Sequence, residues 1–178
     1  MQPESLMLYK LIILYILNRV DFPISNAQLA DIITNHNYTS YFNIQEVISE
    51  LVEDRYIILQ QTKNAARYRI SEEGREALSF FYHTISPEIR DEIDLYLTKK
   101  QYDLREEASN IADYYELRAN EYQVELKVLE RDSTVIELRL LVPSKTDAET
   151  ICSHWRRKNA DIYAYVLQTL LNGDPEKD

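Results

Sequence analysis

The sequence predicts an α+β protein that is mainly helical, with an N-terminal domain over residues 1–85 and a C-terminal module over residues 86–178. Only 2 glycines and 5 prolines occur among the 178 residues, and so few helix breakers favour helices joined by short loops. Two strand–turn–strand patterns, at residues 56–70 and 122–142, interrupt the helical periodicity. A chain of this length can bury one good core or two small ones.

Three helices are predicted before the first strands. Residues 6–20 carry an apolar face at three-and-four spacing, and that face is wider than one small domain requires. Either a partner chain covers part of it or the helix is buried completely in the core. Pro23 breaks this helix because proline lacks the backbone N–H, and Ser25 or Asn26 then caps a second helix. The third helix spans about residues 40–54.

Two strands and a fourth helix complete the N-terminal domain. The strands at residues 56–59 and 68–70 are joined by a polar turn, and Ser71 stands at the N-cap of a helix that reaches about residue 85. Gly74 lies in the first turn, where alanine would be the better helix former. We interpret it as a close backbone contact with the preceding strands or with the first helix, and a merely tolerated glycine is the alternative. The predicted core residues of this helix are Leu78, Phe81 and Tyr82.

The C-terminal module is predicted to consist of a helical connector, a β-hairpin and two helices. Ser86 caps the connector, with Pro87 at the first helical position. A second helical or irregular stretch follows at residues 104–117. The hairpin strands at residues 122–130 and 134–142 alternate apolar and polar side chains, so that one face is buried and the other is solvated.

Two further helices are expected to pack on this hairpin, because a lone hairpin is marginal in water. Thr146 and Glu149 form a capping-box pattern for the first helix. Asn159 caps the second helix, and Gly173 occupies the position that ends it. The C-terminal module is expected to mediate dimerisation or the sensing of an effector.

The N-terminal pattern resembles a winged helix-turn-helix, in which two strands form a wing after three helices. The motif Tyr-x-Ile-Ser-x-x-Gly-x-x-x-Leu at residues 68–78 is typical of that fold. Together with residues 37–45 and 50–51, it is similar to a domain-of-unknown-function family of bacterial proteins, over most of the chain. Members of that family are described as winged-helix transcriptional regulators. The resemblance therefore implies DNA binding, and it brings no known ligand, operator or catalytic residue.

The resemblance also implies where DNA would be contacted: the start of the third helix reaches bases and the wing touches phosphate. The residues with suitable hydroxyls, amides and positive charges are Thr39, Ser40, Tyr41, Asn43, Gln45, Lys63, Arg67 and Arg69. The outward arc of the same helix carries Glu46, Glu50 and Glu53, which would mostly repel the phosphates of a groove. A shallow, end-on approach is therefore predicted. The alternative is that the acidic arc faces solvent or a basic protein partner.

The net charge of −10 opposes DNA binding in bulk, because phosphate binding needs a concentrated positive surface. Residues 1–85 hold 7 Lys or Arg and 10 Asp or Glu, a charge of −3, and the remainder holds 13 against 20, a charge of −7. The N-terminal half is the less acidic of the two. A DNA-binding surface must therefore be a local patch in that half.

The sequence shows no catalytic constellation, and no cofactor or metal is expected. It contains no phosphate-binding loop, no glycine fingerprint and no triad-like motif. The three histidines stand far apart, and Cys152 and His154, two residues apart on a helix, face different directions. An enzyme is a third interpretation that no motif supports.

Several of the fourteen tyrosines are open to two interpretations. An aromatic ring with a polar tip suits an effector pocket or an interface, and packing in the core is the alternative. The residues in question are Tyr38, Tyr41, Tyr114, Tyr115, Tyr163 and Tyr165.

The cellular setting follows from three features of the sequence. The single cysteine, Cys152, excludes an intrachain disulfide and fits a reducing cytoplasm. No secretory segment is visible, and the apolar run at residues 6–17 is about 12 residues long, whereas a membrane span needs roughly 20. We therefore expect a cytoplasmic, homodimeric regulator that binds double-stranded DNA and no membrane. A protein-interaction module without DNA binding is the alternative.

Overall fold

The chain folds into two compact units, residues 1–108 and 109–178. The structure is a computed structural model that describes residues 3–35, 41–61, 65–131 and 133–172. Each unit has its own hydrophobic core and its own three-stranded antiparallel sheet. The mixture of helices and sheets confirms the mixed fold class predicted from the sequence.

The first unit surrounds a small sheet with helices. Its sheet has the order β1-β3-β2, so that β3 is central and β2 is an edge strand. In this register Tyr68 pairs with Ile24 on one side and with Leu59 on the other. The elements are α1 (Pro3–Asn18), β1 (Ile24–Ser25), α2 (Asn26–Asn35), α3 (Tyr41–Glu53), β2 (Ile57–Gln61), β3 (Ala66–Ile70), α4 (Glu72–Phe81), a 3-10 helix (Tyr82–Thr84) and α5 (Pro87–Ser109).

Helix α1 is the centre of the first core. Each residue from 11 to 17 is at most 4% exposed, although these seven positions cover every side of a helix. Burial within the unit therefore accounts for the wide apolar face, and no partner chain is needed to cover it. Ser25 caps α2 in a reciprocal pair with Gln28: the Gln28 N–H donates to Ser25 Oγ at 3.2 Å and the Ser25 N–H to Gln28 Oε1 at 2.9 Å.

Helix α4 is locked to the start of β2 by Ser71 and Gly74. Ser71 Oγ accepts a hydrogen bond from the Gly74 N–H at 2.9 Å, which confirms the predicted N-cap. The Ser71 N–H donates to the carbonyl oxygen of Tyr56 at 3.1 Å. A Cβ on Gly74 would overlap that same carbonyl oxygen. The interpretation of Gly74 as a close backbone contact is therefore confirmed.

The prediction for the end of α4 is wrong in one respect. Leu78 is buried and Tyr82 packs against the core, but Phe81 is 48% exposed. The helix gives way to a 3-10 turn at Tyr82, which changes the direction of the side chains at its end.

Helix α5 begins where predicted, after Ser86, and packs along the first unit. Ile93, Leu97 and Leu104 are at most 6% exposed and belong to the first core. The contact division therefore gives this predicted connector to the first unit rather than to the C-terminal module. Asp94 of α5 accepts hydrogen bonds from Arg19 at 2.6 Å and from the Tyr15 hydroxyl at 3.0 Å.

Two tyrosine hydroxyls form hydrogen bonds that connect α5 to other helices of the first unit. Burial, followed by the hydrogen bond to Asp94, raises the pKa of Tyr15 to about 12. Burial and a hydrogen bond to Asp31 raise the pKa of Tyr96, on α5, to about 12 in the same way. In both cases the nearby carboxylate favours the protonated hydroxyl, which donates the hydrogen bond.

The second unit is a three-stranded meander covered by one long helix. Its sheet has the order β4-β5-β6, and Val124 and Leu126 of β5 are buried on the face toward the helix. The elements are β4 (Asn110–Arg118), β5 (Glu121–Glu130), β6 (Ser133–Val142) and α6 (Lys145–Asn172). The predicted hairpin is confirmed, but residues 110–118 form a strand where a helical or irregular stretch was expected.

Helix α6 replaces the two predicted helices. The Asn159 side chain does not cap a new helix, because its amide donates back to the carbonyl oxygens of Trp155 and Arg156 within the same helix. The N-cap is Ser144 rather than Thr146, since Ser144 Oγ accepts from the Asp147 N–H at 3.1 Å. Gly173 lies outside the described residues.

Candidate nucleic-acid interface

The structure describes only part of the predicted DNA-contacting set. Thr39, Ser40 and Lys63 lie outside the described residues. Tyr41 and Asn43 lie in the first turn of α3, where the backbone is described and the side chains are not. These five residues therefore stay predictions, and the geometry concerns the other three.

Gln45 forms a closed amide pair with Asn26, the first residue of α2. The Asn26 amide donates to Gln45 Oε1 at 3.0 Å, and the Gln45 amide donates to Asn26 Oδ1 at 2.8 Å. The pair ties the start of α3 to the start of α2. In the structure Gln45 therefore connects the two helices and is engaged by this pair.

Arg67 binds the end of α5 instead of projecting into solvent. Its guanidinium donates to the carbonyl oxygens of Glu107 and Ala108, at distances of 3.1 to 3.2 Å. These carbonyls belong to the last turn, where the helix dipole favours a positive charge. The Glu107 carboxylate also accepts from the Gln28 amide at 2.7 Å. Arg67 therefore connects the β2–β3 hairpin to the last turn of α5.

Arg69 is half-buried on the same sheet face as Arg67, opposite the buried Tyr68 and Ile70. It pairs across the strands with Ile58. Its side chain lines a small cavity of about 60 Å³ at the end of α1. The cavity walls are Leu17, Val20, Asp21, Phe22, Arg69, Ile70 and Arg75.

The predicted acidic arc of α3 is present, but one of its glutamates is paired. Glu46 and Glu53 are exposed. Glu50 is half-buried and forms an ion pair with Lys10 of α1, with 2.9 Å between Lys10 Nζ and Glu50 Oε2. Lys10 Nζ also lies 3.2 Å from Asp54 Oδ2. Burial alone would lower the pKa of Lys10, yet the two carboxylates outweigh it and the pKa is raised.

Arg55 is an exposed cation beside this arc that the sequence pattern did not single out. It adopts a left-handed conformation, with φ of 63°, at the end of α3. The Arg55 N–H donates to the Val52 carbonyl and the Tyr56 N–H to the Leu51 carbonyl, which is the Schellman arrangement of a helix C-terminus. Glycine usually occupies this position. Because an arginine stands here instead, the end of the helix is not recognisable from the residue type.

Among the tyrosines considered for an effector site, the structure describes the side chains of Tyr114, Tyr115, Tyr163 and Tyr165. Tyr114 and Tyr115 are neighbours on β4 and therefore point to opposite faces of the sheet. Their hydroxyls donate to Glu149 at 2.9 Å and to Glu125 at 3.3 Å. Tyr165 is 68% exposed on α6. Tyr38 and the side chain of Tyr41 lie outside the described residues.

The described residues contain no group of three or more side chains that could hold a metal ion. His83 lies edge-on to Tyr82, with ring centroids 5.9 Å apart, and His154 is exposed. Burial, and then the nearby Asp113 carboxylate, raise the pKa of the Cys152 thiol, which disfavours the thiolate form. Among the helices of the described part, none has both the length and the apolar character needed to cross a membrane.

Comparison with known proteins identifies a family for the chain and does not identify a function. The chain has no significant match among curated proteins or among solved structures. One family model matches residues 9–170, nearly the whole chain and parts of both units. This match agrees with the resemblance to a domain-of-unknown-function family. The chain belongs to the family described as Domain of unknown function (DUF4364).

Proposed function

We propose that residues 1–108 form a winged helix-turn-helix and that the protein is a DNA-binding regulator of transcription. The observation that carries the proposal is the element order of the first unit, in which three helices precede a hairpin and a fourth helix. The short β1 completes an antiparallel sheet of order β1-β3-β2. In this interpretation α2 and α3 are the helix-turn-helix pair, and β2 with β3 is the wing.

Fewer residues are proposed to contact DNA than residue type alone suggests. Gln45 and Arg67 serve the interior, because both are engaged in hydrogen bonds between elements of the first unit. Bases would be reached from the start of α3, and phosphate from the wing and from the α3–β2 junction. The proposed contact residues are Thr39, Ser40, Tyr41, Asn43, Lys63 and Arg55, with Arg69 in a secondary role.

An end-on approach of α3 follows from its charge pattern. Glu46 and Glu53 are exposed farther along the helix and would repel phosphate if α3 lay full-length in a groove. The N-terminus of a helix carries the positive end of its dipole, so an approach through the first turn is electrostatically favoured. The proposal therefore assigns α3 a small footprint and predicts few phosphate contacts.

The proposed regulator is a cytoplasmic homodimer that acts without a cofactor. Helix-turn-helix proteins commonly bind two half-sites related by the two-fold symmetry of the dimer. Two copies would double the few cationic side chains proposed to contact phosphate, which matters for a chain with a net charge of −10.

A second candidate function is a winged-helix module that binds a basic protein. It is favoured by the exposed pair Glu46 and Glu53 and by the internal engagement of Gln45 and Arg67. In this candidate the acidic arc of α3 is the binding surface, and duplex DNA is not bound.

The double substitution Glu46→Gln/Glu53→Gln separates the two candidates. Removing two exposed negative charges beside the DNA is expected to raise the affinity for a labelled duplex from the promoter region by roughly threefold to tenfold at low salt. Fluorescence anisotropy measures the change.

The matched control is Glu73→Gln/Glu76→Gln, which removes two exposed charges from α4 instead. An equal gain from both pairs would indicate a general effect of net charge and would contradict a DNA contact through α3. If neither the wild type nor the variants bind the duplex, the protein-interaction candidate takes its place.

A further inference from the structure

Helix α6 is longer than the sheet that it covers. Its 28 residues extend for about 42 Å, whereas strands of ten residues span roughly 33 Å. The first half of the helix is well packed, since Ala148 and Trp155 are at most 2% exposed. The Trp155 indole N–H also donates to the Lys127 carbonyl on the sheet at 3.3 Å.

The face that α6 buries at Trp155 becomes exposed toward its end. At about 100° per residue, Ile162, Val166 and Leu170 continue the stripe on which Trp155 lies. Ile162 is still half-buried against the second core, but Leu170 is 76% exposed. The core-facing stripe of α6 therefore continues past the surface that its own sheet supplies.

The end of α6 is also free of charge. Residues 162–172, called the α6 overhang below, contain no Asp, Glu, Lys or Arg, although 28% of the whole chain is charged. A solvated helix normally carries charged side chains on its outer faces. The four large exposed side chains of the overhang are Tyr165 at 68%, Leu167 at 38%, Leu170 at 76% and Leu171 at 79%.

We propose that the α6 overhang is a homodimer interface, in which it packs antiparallel against the overhang of a second copy. Leu167, Leu170 and Leu171 lie within an arc of about 100° and form one apolar strip, whereas Tyr165 lies on another side of the helix. The three leucines expose on the order of 400 Å² per chain, which is the size of the largest apolar patches on monomers and is often functional. Two such strips bury on the order of 800 Å² together, which is the size of a small, weak interface. A two-fold contact requires a self-complementary surface, and an uncharged apolar surface meets that condition.

The antiparallel orientation follows from the charges next to the overhang. Arg156, Arg157 and Lys158 form an exposed basic turn one helical turn before it, and Lys158 also forms an ion pair with Asp161 at 3.2 Å. In an antiparallel pair this turn lies beside the C-terminal end of the partner helix, where the dipole favours positive charge. A parallel pair would place the two basic turns side by side and would be repelled.

The inference stands apart from DNA binding. The dimer would supply the two-fold symmetry of the proposed regulator, but it is inferred from α6 alone. Its test uses the full chain in solution without DNA, so its failure and the failure of the proposed function are distinguishable.

The substitution Leu170→Glu/Leu171→Glu tests the interface. Light scattering after gel filtration is expected to give twice the chain mass of 21.1 kDa for the wild type and 21.1 kDa for the variant. Both side chains are largely exposed, so the variant is expected to keep the circular dichroism spectrum of the wild type. The control Leu141→Glu places the same charge at a 62% exposed leucine of the same unit and is expected to stay dimeric.

A wild type that is monomeric at tens of micromolar would overturn the proposal, whether the overhang is solvated or covered by another surface of its own chain. Dissociation by Leu141→Glu as readily as by the α6 pair would also overturn it, because the interface would then lie elsewhere.

Disulfide trapping tests the orientation in a Cys152→Ser background. Leu167→Cys lies at the middle of the overhang, near the proposed two-fold axis, and is expected to form a linked dimer under mild oxidation. Leu171→Cys lies at one end and is expected to link at least tenfold more slowly, because its counterpart is at the far end of the pair. Faster linkage at Leu171→Cys would indicate a parallel pair and would overturn the antiparallel arrangement.

Discussion

Replacing Gly74 with alanine is expected to lower the free energy of unfolding of the first unit by about 3 kcal/mol. The added methyl group would overlap the carbonyl oxygen of Tyr56 and lie 2.9 Å from Ile70 Cγ1. A backbone carbonyl cannot rotate away as the end of a flexible side chain can. Helix α4 must therefore move away from the start of β2.

That movement would also break the polar contacts of the junction. The Ser71 N–H and hydroxyl both lie within hydrogen-bond distance of the Tyr56 carbonyl, at 3.1 and 2.9 Å. Ser71 is only 6% exposed, so a lost hydrogen bond would leave a buried polar group without compensation. The alanine substitution is thus expected to cost far more than the helix propensity that it gains, which is about 1 kcal/mol.

Denaturant unfolding followed by circular dichroism measures the effect of Gly74→Ala. The control is Glu76→Ala, at an exposed position of the same helix, and is expected to be within about 0.5 kcal/mol of the wild type. A Gly74→Ala variant as stable as the wild type would show that α4 and β2 are not in the contact described.

Replacing Arg67 with alanine is expected to lower the free energy of unfolding of the first unit by about 2 kcal/mol, because charge-assisted hydrogen bonds to two carbonyls are lost. The carbonyls of Glu107 and Ala108 lose the guanidinium that caps the last turn of α5. Arg67→Lys is expected to recover only part of the loss, since an ammonium group does not reproduce the planar fork of the guanidinium.

The same unfolding measurement applies to Arg67, with Arg75→Ala as its control. Arg75 forms an exposed ion pair with Glu72 on α4 at 3.0 Å, and such pairs contribute little to stability. Equal effects of Arg67→Ala and Arg75→Ala would contradict the role of Arg67 as the cap of α5. A loss of DNA affinity in Arg67→Ala must be compared with this loss of stability before it is assigned to a phosphate contact.

The parts of the fold that the sequence predicts are those specified by local chemistry. Ser25, Ser71 and Ser86 act as caps at the helix starts where their spacing to the following residues places them. Gly74 indicates a close backbone contact because glycine is a poor helix former and stands in a first turn where alanine would be better. The alternation of β5 and β6 is visible because one face is apolar and the other is polar.

The parts that the sequence does not predict depend on long-range packing. Strand β4 reads ambiguously because Tyr114 and Tyr115 put aromatic rings on both faces, and its strand character comes from pairing with β5. The two-residue β1 exists only through its pairing with β3. Helix α6 continues through Asn159 because Trp155 before it and Ile162 after it both pack against the core of the second unit.

The candidate site shows the same division. Gln45 and Arg67 have the residue types that suit DNA contacts, and the sequence therefore nominates them. Their partners stand 19 and about 40 residues away, so that no local pattern reveals their engagement. Glu46 and Glu53 of the acidic arc are exposed as predicted, because helical periodicity determines which side chains face outward. Glu50 is half-buried, since it pairs with Lys10 of α1, which no local pattern reveals.

The first unit is proposed to bind duplex DNA through a small number of phosphate contacts. Fluorescence anisotropy over a series of salt concentrations gives the affinity of the wild-type chain for a promoter duplex. We expect binding at about 50 mM salt, with the logarithm of the association constant falling linearly with the logarithm of salt at a slope of about −2 to −4 per chain. Absence of binding at the lowest salt concentration would overturn the proposed DNA contact, and so would binding that does not change with salt.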